Sequence, residues 1–165
     1  LRVDKNRDGF WDKEEFIDNL TIGRGKPLLL AVKSGGRGNV TQTHVEWEFN
    51  KGIPEVPSPI LFEGFIYMIS NGGVLTCVDT EEGKMIYRKR IGGLGQYVAS
   101  PVVAGKNLIL VSEDGLLSVV RTGKEFELLG QLQLKGKIKV TPSLGINNLY
   151  LRSESHLWAF GKKSG

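Results

Sequence analysis

The sequence has one cysteine, Cys77, and six prolines in 165 residues. A lone cysteine excludes an internal disulfide framework and any cysteine metal cluster. Cys77 sits in Val74-Leu75-Thr76-Cys77-Val78, where a small buried hydrophobe is expected. No run approaches the roughly 20 consecutive apolar residues of a membrane span. No dense basic run is present either. The net charge of +4 is spread out, which argues against nucleic acid as a partner. The main local concentrations are Arg88-Lys89-Arg90 and the alternating Lys135, Lys137 and Lys139; the latter are expected on the solvated face of a strand, with Ile138 and Val140 opposite. His44 and His156 have no Ser, Asp or Cys at a spacing that suggests a triad. Glycine, in contrast, is abundant at 22 residues, without the three-residue period of collagen, and 40% of the chain is hydrophobic. Many turns and enough apolar material for a core point to short strands rather than long helices or disorder.

Acidic residues gather at the start, with six acids against four bases in residues 1–20. Residues 4–15 read Asp-Lys-Asn-Arg-Asp-Gly-Phe-Trp-Asp-Lys-Glu-Glu. Asp4, Asn6 and Asp8 alternate, Gly9 follows for a sharp turn, Asp12 comes four residues after Asp8, and Glu15 closes at the twelfth position. This is the spacing of an EF-hand calcium loop. Ca²⁺ takes six to eight oxygens, and three converging side chains, the Phe10 carbonyl, Asp12 and a two-oxygen Glu15 supply them. Lys13 to Leu20 would form the exiting helix, with Phe16, Ile17 and Leu20 on one side. The pattern departs from the family at Trp11, where an aliphatic residue is usual, and only Leu1-Arg2-Val3 remains of an entering helix.

From residue 56 onward the chain repeats itself. Ser58-Pro59, Ser100-Pro101 and Thr141-Pro142 stand 42 and 41 residues apart. The same offsets relate Ile66-Tyr67, Leu108-Ile109 and Leu149-Tyr150, and also Ser70, Ser112 and Ser153. In the first copy, Pro59–Phe62, Phe65–Ser70, Val74–Asp79 and Met85–Arg90 read as strands, separated by Gly64, Asn71-Gly72-Gly73 and Glu82-Gly83. Four strands in such a period is a β-propeller blade. Leu28–Ser34 and His44–Phe49 read as the outer part of an earlier blade, with Trp47 matching Tyr87 and a polar surface loop between. The organisation is an EF-hand segment at 1–22 and blades over 23–162, followed by a tail at 163–165. The blades divide as a partial one at 23–53, full ones at 54–95 and 96–138, and an incomplete last one at 139–162. The fold class is mainly β: about three to three and a half blades of four antiparallel strands forming an open arc.

The string Ser-Pro, aliphatics, Gly, Ile-Tyr, Ser, Gly-Gly-Val-Leu, Val-Asp-Thr and Gly-Lys leading to Tyr87 resembles the PQQ-like propeller family. Residues 54–160 carry the resemblance, and 23–53 carry it more weakly. It is similar in particular to bacterial PQQ-binding-like repeat proteins related to the outer-membrane assembly lipoprotein. The resemblance implies a periplasmic or secreted protein of the cell envelope with a binding or scaffolding role. Its partners would be calcium, the rest of its own propeller, and envelope or polysaccharide-associated proteins. Bound quinone is not implied, because the family's dehydrogenases use a vicinal cysteine pair and this chain has one cysteine. No catalytic constellation is visible. The alternative is the C-terminal part of a quinoprotein-type dehydrogenase whose active-site blades lie upstream. The aromatics Tyr67, Tyr87, Tyr150, Trp158 and Phe160 are expected to pack between blades. Gln96 and Tyr97, in the Gly-rich connection before Ser100-Pro101, are the candidates for a partner-facing patch. The start at Leu1 reads as a cut, with a signal peptide expected upstream; and because closed propellers typically need four to eight blades, the chain is expected to be the C-terminal part of a larger propeller.

Overall fold

The computed structural model describes Asp8, Asp12, Lys13 and residues 27–161. Within 27–161 every regular element is a strand. A two-stranded sheet pairs β1 (Leu29–Val32) with β2 (Val45–Phe49). A four-stranded sheet follows in the order β3 (Ile60–Phe62), β4 (Phe65–Ser70), β5 (Val74–Asp79), β6 (Met85–Arg90). The next has β7 (Val102–Ala104), β8 (Asn107–Val111), β9 (Leu116–Arg121) and β10 (Leu128–Gln133). The last has β11 (Ser143–Leu144), β12 (Asn148–Arg152) and β13 (Leu157–Gly161). All pairings are antiparallel between consecutive strands. Each sheet is therefore a meander running from an inner first strand to an outer last one.

Turn chemistry sets the registers. Glu63-Gly64 joins the Phe62–Phe65 pair with both residues at positive φ, the geometry of a two-residue type I′ hairpin. The equivalent Gly105-Lys106 turn has positive φ at the glycine alone, as a type II′ turn requires. Gly73 is fixed more strictly. It adopts φ +68°, and a Cβ there would lie 1.8 Å from the Gly92 carbonyl oxygen. Its own carbonyl accepts the Ile91 N–H at 2.8 Å, so the β4–β5 turn and the chain leaving β6 are locked together.

Period-two alternation gives each sheet two apolar faces, and each face meets a different neighbour. Met68 and Val78 pack with Phe49, Trp47 and Leu29 of the first sheet. On the opposite face, Tyr67, Ile69, Leu75, Cys77 and Tyr87 pack with Leu108, Leu110 and Val120 of the third sheet. The third sheet then turns Ile109, Val111 and Leu117 toward Leu149, Leu151, Trp158 and Phe160 of the fourth. Sheets stacked face to face in chain order, joined by loops from outer strand to inner strand, are propeller blades. Together they form an open arc.

Two expectations need correction. Lys135, Lys137 and Lys139 do not lie on a strand; they sit in the loop from β10 to β11. Backbone bonds pull that segment out of the ladder: Leu134 N–H goes to Gly115 O at 2.9 Å, and Ile138 N–H goes to Glu113 O at 2.9 Å. Tyr150 does not pack between blades. It is 39% exposed, because it faces away from the third sheet and no described residue forms a sheet beyond it.

Candidate functional site

Strand direction gives the arc two ends with different chemistry. One end, the loop end, carries the outer-to-inner connections and the β4–β5, β8–β9 and β12–β13 turns. Each connection is pinched between the turns of two successive blades. In the first, Gly72 N–H donates to Gly95 O at 3.0 Å and Tyr97 N–H to Asn71 Oδ1 at 2.9 Å, while Glu113 N–H of the next blade donates to Gln96 O at 2.8 Å. In the second, Ile138 N–H goes to Glu113 O, and Glu154 N–H goes to Lys137 O at 3.3 Å. The Glu113 carboxylate, only 12% exposed, pairs with Lys139 at 3.3 Å and Lys137 at 3.8 Å. Lys137, Lys139, Arg152 and Glu154 line a shallow depression beside it.

These bonds decide where the predicted patch residues lie. Gln96 is exposed, with its carbonyl held by the next blade. Tyr97 is turned inward and is 1% exposed. Its hydroxyl donates to Gly92 O at 3.2 Å, and burial pushes its pKa up to about 12. Tyr97 is therefore a wedge in the core and not a partner-facing residue. The residue that projects from the same loop is Leu94, 85% exposed, which sequence reasoning did not single out. Its position between glycines at 93 and 95 was the available signal.

The other end, the turn end, carries a cavity of about 920 Å³ between the β7–β8 and β11–β12 turns. Val103, Leu144, Ile146 and Phe160 supply apolar surface, Asn107 and Asn148 supply amides, and no charged side chain lines it. Such a lining can hold a neutral or peptide-like group but offers no acid, base or nucleophile.

The reactive residue types are occupied by structure. Cys77 is fully buried between Tyr67 and Tyr87, and burial pushes its thiol up to about 12. A thiol held protonated is a poor nucleophile. The Tyr67 hydroxyl accepts the Gly123 N–H at 2.7 Å across the blade interface, and burial raises it to about 12. His44 Nδ1 lies 2.7 Å from Thr43 Oγ1. His156 Nδ1 lies 2.8 Å from Ser155 Oγ, and its ring stacks on Trp158 at 5.3 Å. Among the described residues no group of three or more His, Cys, Asp or Glu could hold a metal, and no helix is long and apolar enough to cross a membrane. Of the six calcium-ligand candidates, Asp8 and Asp12 are described and exposed, whereas Asp4, Asn6, Phe10 and Glu15 lie outside the described residues.

The stacked antiparallel meanders define the class: an open arc of β-propeller blades. No family model matches the chain. In sequence it is similar to the outer membrane protein assembly factor BamB of Legionella pneumophila (strain Paris), with 24% identity over 135 residues, 82% of this chain and 35% of that protein. The chain thus spans about a third of the length of the curated relative it matches. In structure it superposes on the crystal structure of BamB from Moraxella catarrhalis with a TM-score of 0.63 and 18% identity, covering 82% of this chain and 40% of that one. A computationally designed protein, Ika8, matches with a TM-score of 0.58 and 11% identity over 72% of this chain and 36% of that one.

Proposed function

We propose that the chain is part of a noncatalytic, calcium-binding PQQ-like propeller that serves as a binding or assembly module in the bacterial cell envelope. The observation that carries this reading is the similarity to BamB over 82% of the chain, a protein named as an outer membrane protein assembly factor. Supporting it, the loop end presents fixed backbone and mixed charge, a surface for contact rather than for turnover. On this reading the protein works in the periplasm and touches other envelope assembly proteins. The dehydrogenase alternative has weaker support, because the buried, protonated Cys77 cannot stand in for a redox cysteine pair.

Deleting the gene in its source bacterium should lower the level of folded outer membrane proteins, measured by heat-modifiable mobility; unchanged levels would overturn the assembly role. The full-length protein incubated with quinone should neither retain it nor reduce a dye; retention and dye reduction together would establish the dehydrogenase instead.

Calcium is assigned to Asp4, Asn6, Asp8, Phe10, Asp12 and Glu15 by their spacing. Calorimetry should give one Ca²⁺ per chain in the wild type and at least about tenfold weaker binding in Glu15→Gln, which replaces the closing two-oxygen carboxylate with a neutral amide bearing one oxygen. Equal binding by both, or by neither, removes the assignment.

A further inference from the structure

We propose that the turn-end cavity between the third and fourth sheets is a docking slot for a phenylalanine-bearing turn of a partner protein. The slot lies between two sheets of this chain, at the end away from the connecting loops, so it stands or falls independently of the assembly role proposed above.

The same place is filled one interface earlier, between the second and third sheets. Phe62 and Phe65 pair across the β3–β4 turn and pack in one cluster with Val103, Leu108 and Val120 of the third sheet. Those three are cross-strand neighbours: Val103 pairs with Leu108, and Leu108 with Val120. The fourth sheet repeats that wall. Leu144 pairs with Leu149, and Leu149 with Phe160, and all three line the cavity. What has changed is the facing wall. A step of 42 residues replaces Phe62 with Ala104 and Phe65 with Asn107, which pair across the β7–β8 turn as the two phenylalanines do across theirs. Two aromatic rings are exchanged for a methyl group and an amide, and about 920 Å³ is left between the sheets. That volume falls within the roughly 300–1,000 Å³ of a ligand pocket.

The lining selects the occupant. No charged side chain lines the cavity, so an ion entering it would lose water with nothing to replace it. An aromatic ring gains most there, from burial against the aliphatic wall and from edge contact with Phe160. Asn107 Oδ1 accepts Arg121 Nη1 at 3.4 Å, which leaves the Asn107 Nδ2 amide to donate to a peptide carbonyl. Ile146 is fully exposed at the rim and adds apolar surface for the residues that flank the ring. A second copy of this chain fits less well, because among the described residues no phenylalanine is exposed. The repeat's own precedent, a tight turn with a phenylalanine on each side, is the shape that the slot complements.

The probe is acetyl-Phe-Asn-Gly-Phe-amide, the 62–65 turn with a neutral, turn-favouring Asn in place of Glu63. The control is acetyl-Ala-Asn-Gly-Ala-amide. Titrated into the ¹⁵N-labelled full-length protein, the Phe peptide should shift the amide resonances of Ala104, Asn107, Gly145 and Asn148. It should bind at least about tenfold more tightly than the control, the size expected for burying one aromatic ring. Ala104→Phe supplies from within the ring that the second sheet uses, and it should weaken that binding at least about tenfold in a folded protein. Should that variant not fold, Asn107→Asp takes its place: it exchanges the amide donor for a charged acceptor and should weaken binding in the same direction. Absence of shifts, equal binding of the two peptides, or wild-type affinity in the folded variant would overturn the proposal. Concentration-dependent shifts of the same resonances without peptide would give the slot to a second copy and overturn it as well.

Discussion

Tyr67 and Tyr150 occupy the same place in their blades, yet one is fully buried and the other is 39% exposed. Both lie on the second strand, and both alternate with an aliphatic neighbour that faces the preceding blade. The difference comes from what stands beyond them. The β7–β10 sheet covers Tyr67 with Leu108, Leu110 and Val120, and its hydroxyl is held by Gly123. Tyr150 has a weak partner in its own strand, the Asn148 amide at 3.3 Å. In a stacked repeat, the local pattern sets which way a side chain points, and the neighbouring repeat sets how deeply it is buried.

The comparison predicts unequal costs for equal changes. Tyr67→Ala should cost about 3–5 kcal/mol in urea unfolding, as large aromatic truncations in cores do. Tyr150→Ala should cost less than about 1 kcal/mol. Similar losses at the two positions would mean that Tyr150 is covered after all.

Turn glycines break the comparison in a second way, because one lies between elements and another faces open space. Gly73→Ala forces a Cβ into the Gly92 carbonyl at a positive φ and should cost about 2–4 kcal/mol from strain and displaced backbone. Gly105→Ala also has a positive φ but meets nothing within 4 Å, so only the conformational strain of about 1 kcal/mol remains.

Alkaline pH probes the covered interface selectively. The Cys77 thiol is pushed from 9.0 to about 12, and the Tyr67 hydroxyl from 10.0 to about 12, both by burial. Below pH 9 both groups are protonated whether the chain is folded or not, and their contribution is fully present. Above it the unfolded chain releases protons that the folded chain retains, so stability falls as pH rises from about 9 to about 12. Unfolding midpoints against pH should show this decline. In Cys77→Ala it should begin nearer pH 10, where the tyrosines take over. The smallest effect is expected at the uncovered face: Leu157→Ala should change stability by no more than about 0.5 kcal/mol, since Leu157 is 72% exposed.

The architecture was legible in the sequence because repeats advertise themselves. The offsets of 42 and 41 residues separated the middle sheets, and the turn residues Gly64, Asn71-Gly72-Gly73 and Glu82-Gly83 placed β4, β5 and β6 at their observed bounds. Roles that depend on a partner in another repeat were not legible. The Ser/Thr-Pro motif marked the period, but nothing in one copy says that its hydroxyl accepts the N–H of the copy before. Tyr97 looked like a loop aromatic, and it took the Asn71 and Gly92 contacts to turn it into the core. Lys135, Lys137 and Lys139 alternate like a strand face, yet backbone bonds to the β8–β9 turn override that local pattern. The proposed calcium loop is the reverse case: it rests on spacing alone, and a binding measurement decides it.

Selective tyrosine nitration tests the central claim, that burial follows from the neighbouring blade and that the last blade's outer face is uncovered. The chain has four tyrosines, of which Tyr67, Tyr87 and Tyr97 are buried between blades. Limited treatment of the native 165-residue chain with tetranitromethane, followed by peptide mapping, should modify Tyr150 alone. Nitration of Tyr67 at a comparable rate, or protection of Tyr150, would contradict the account.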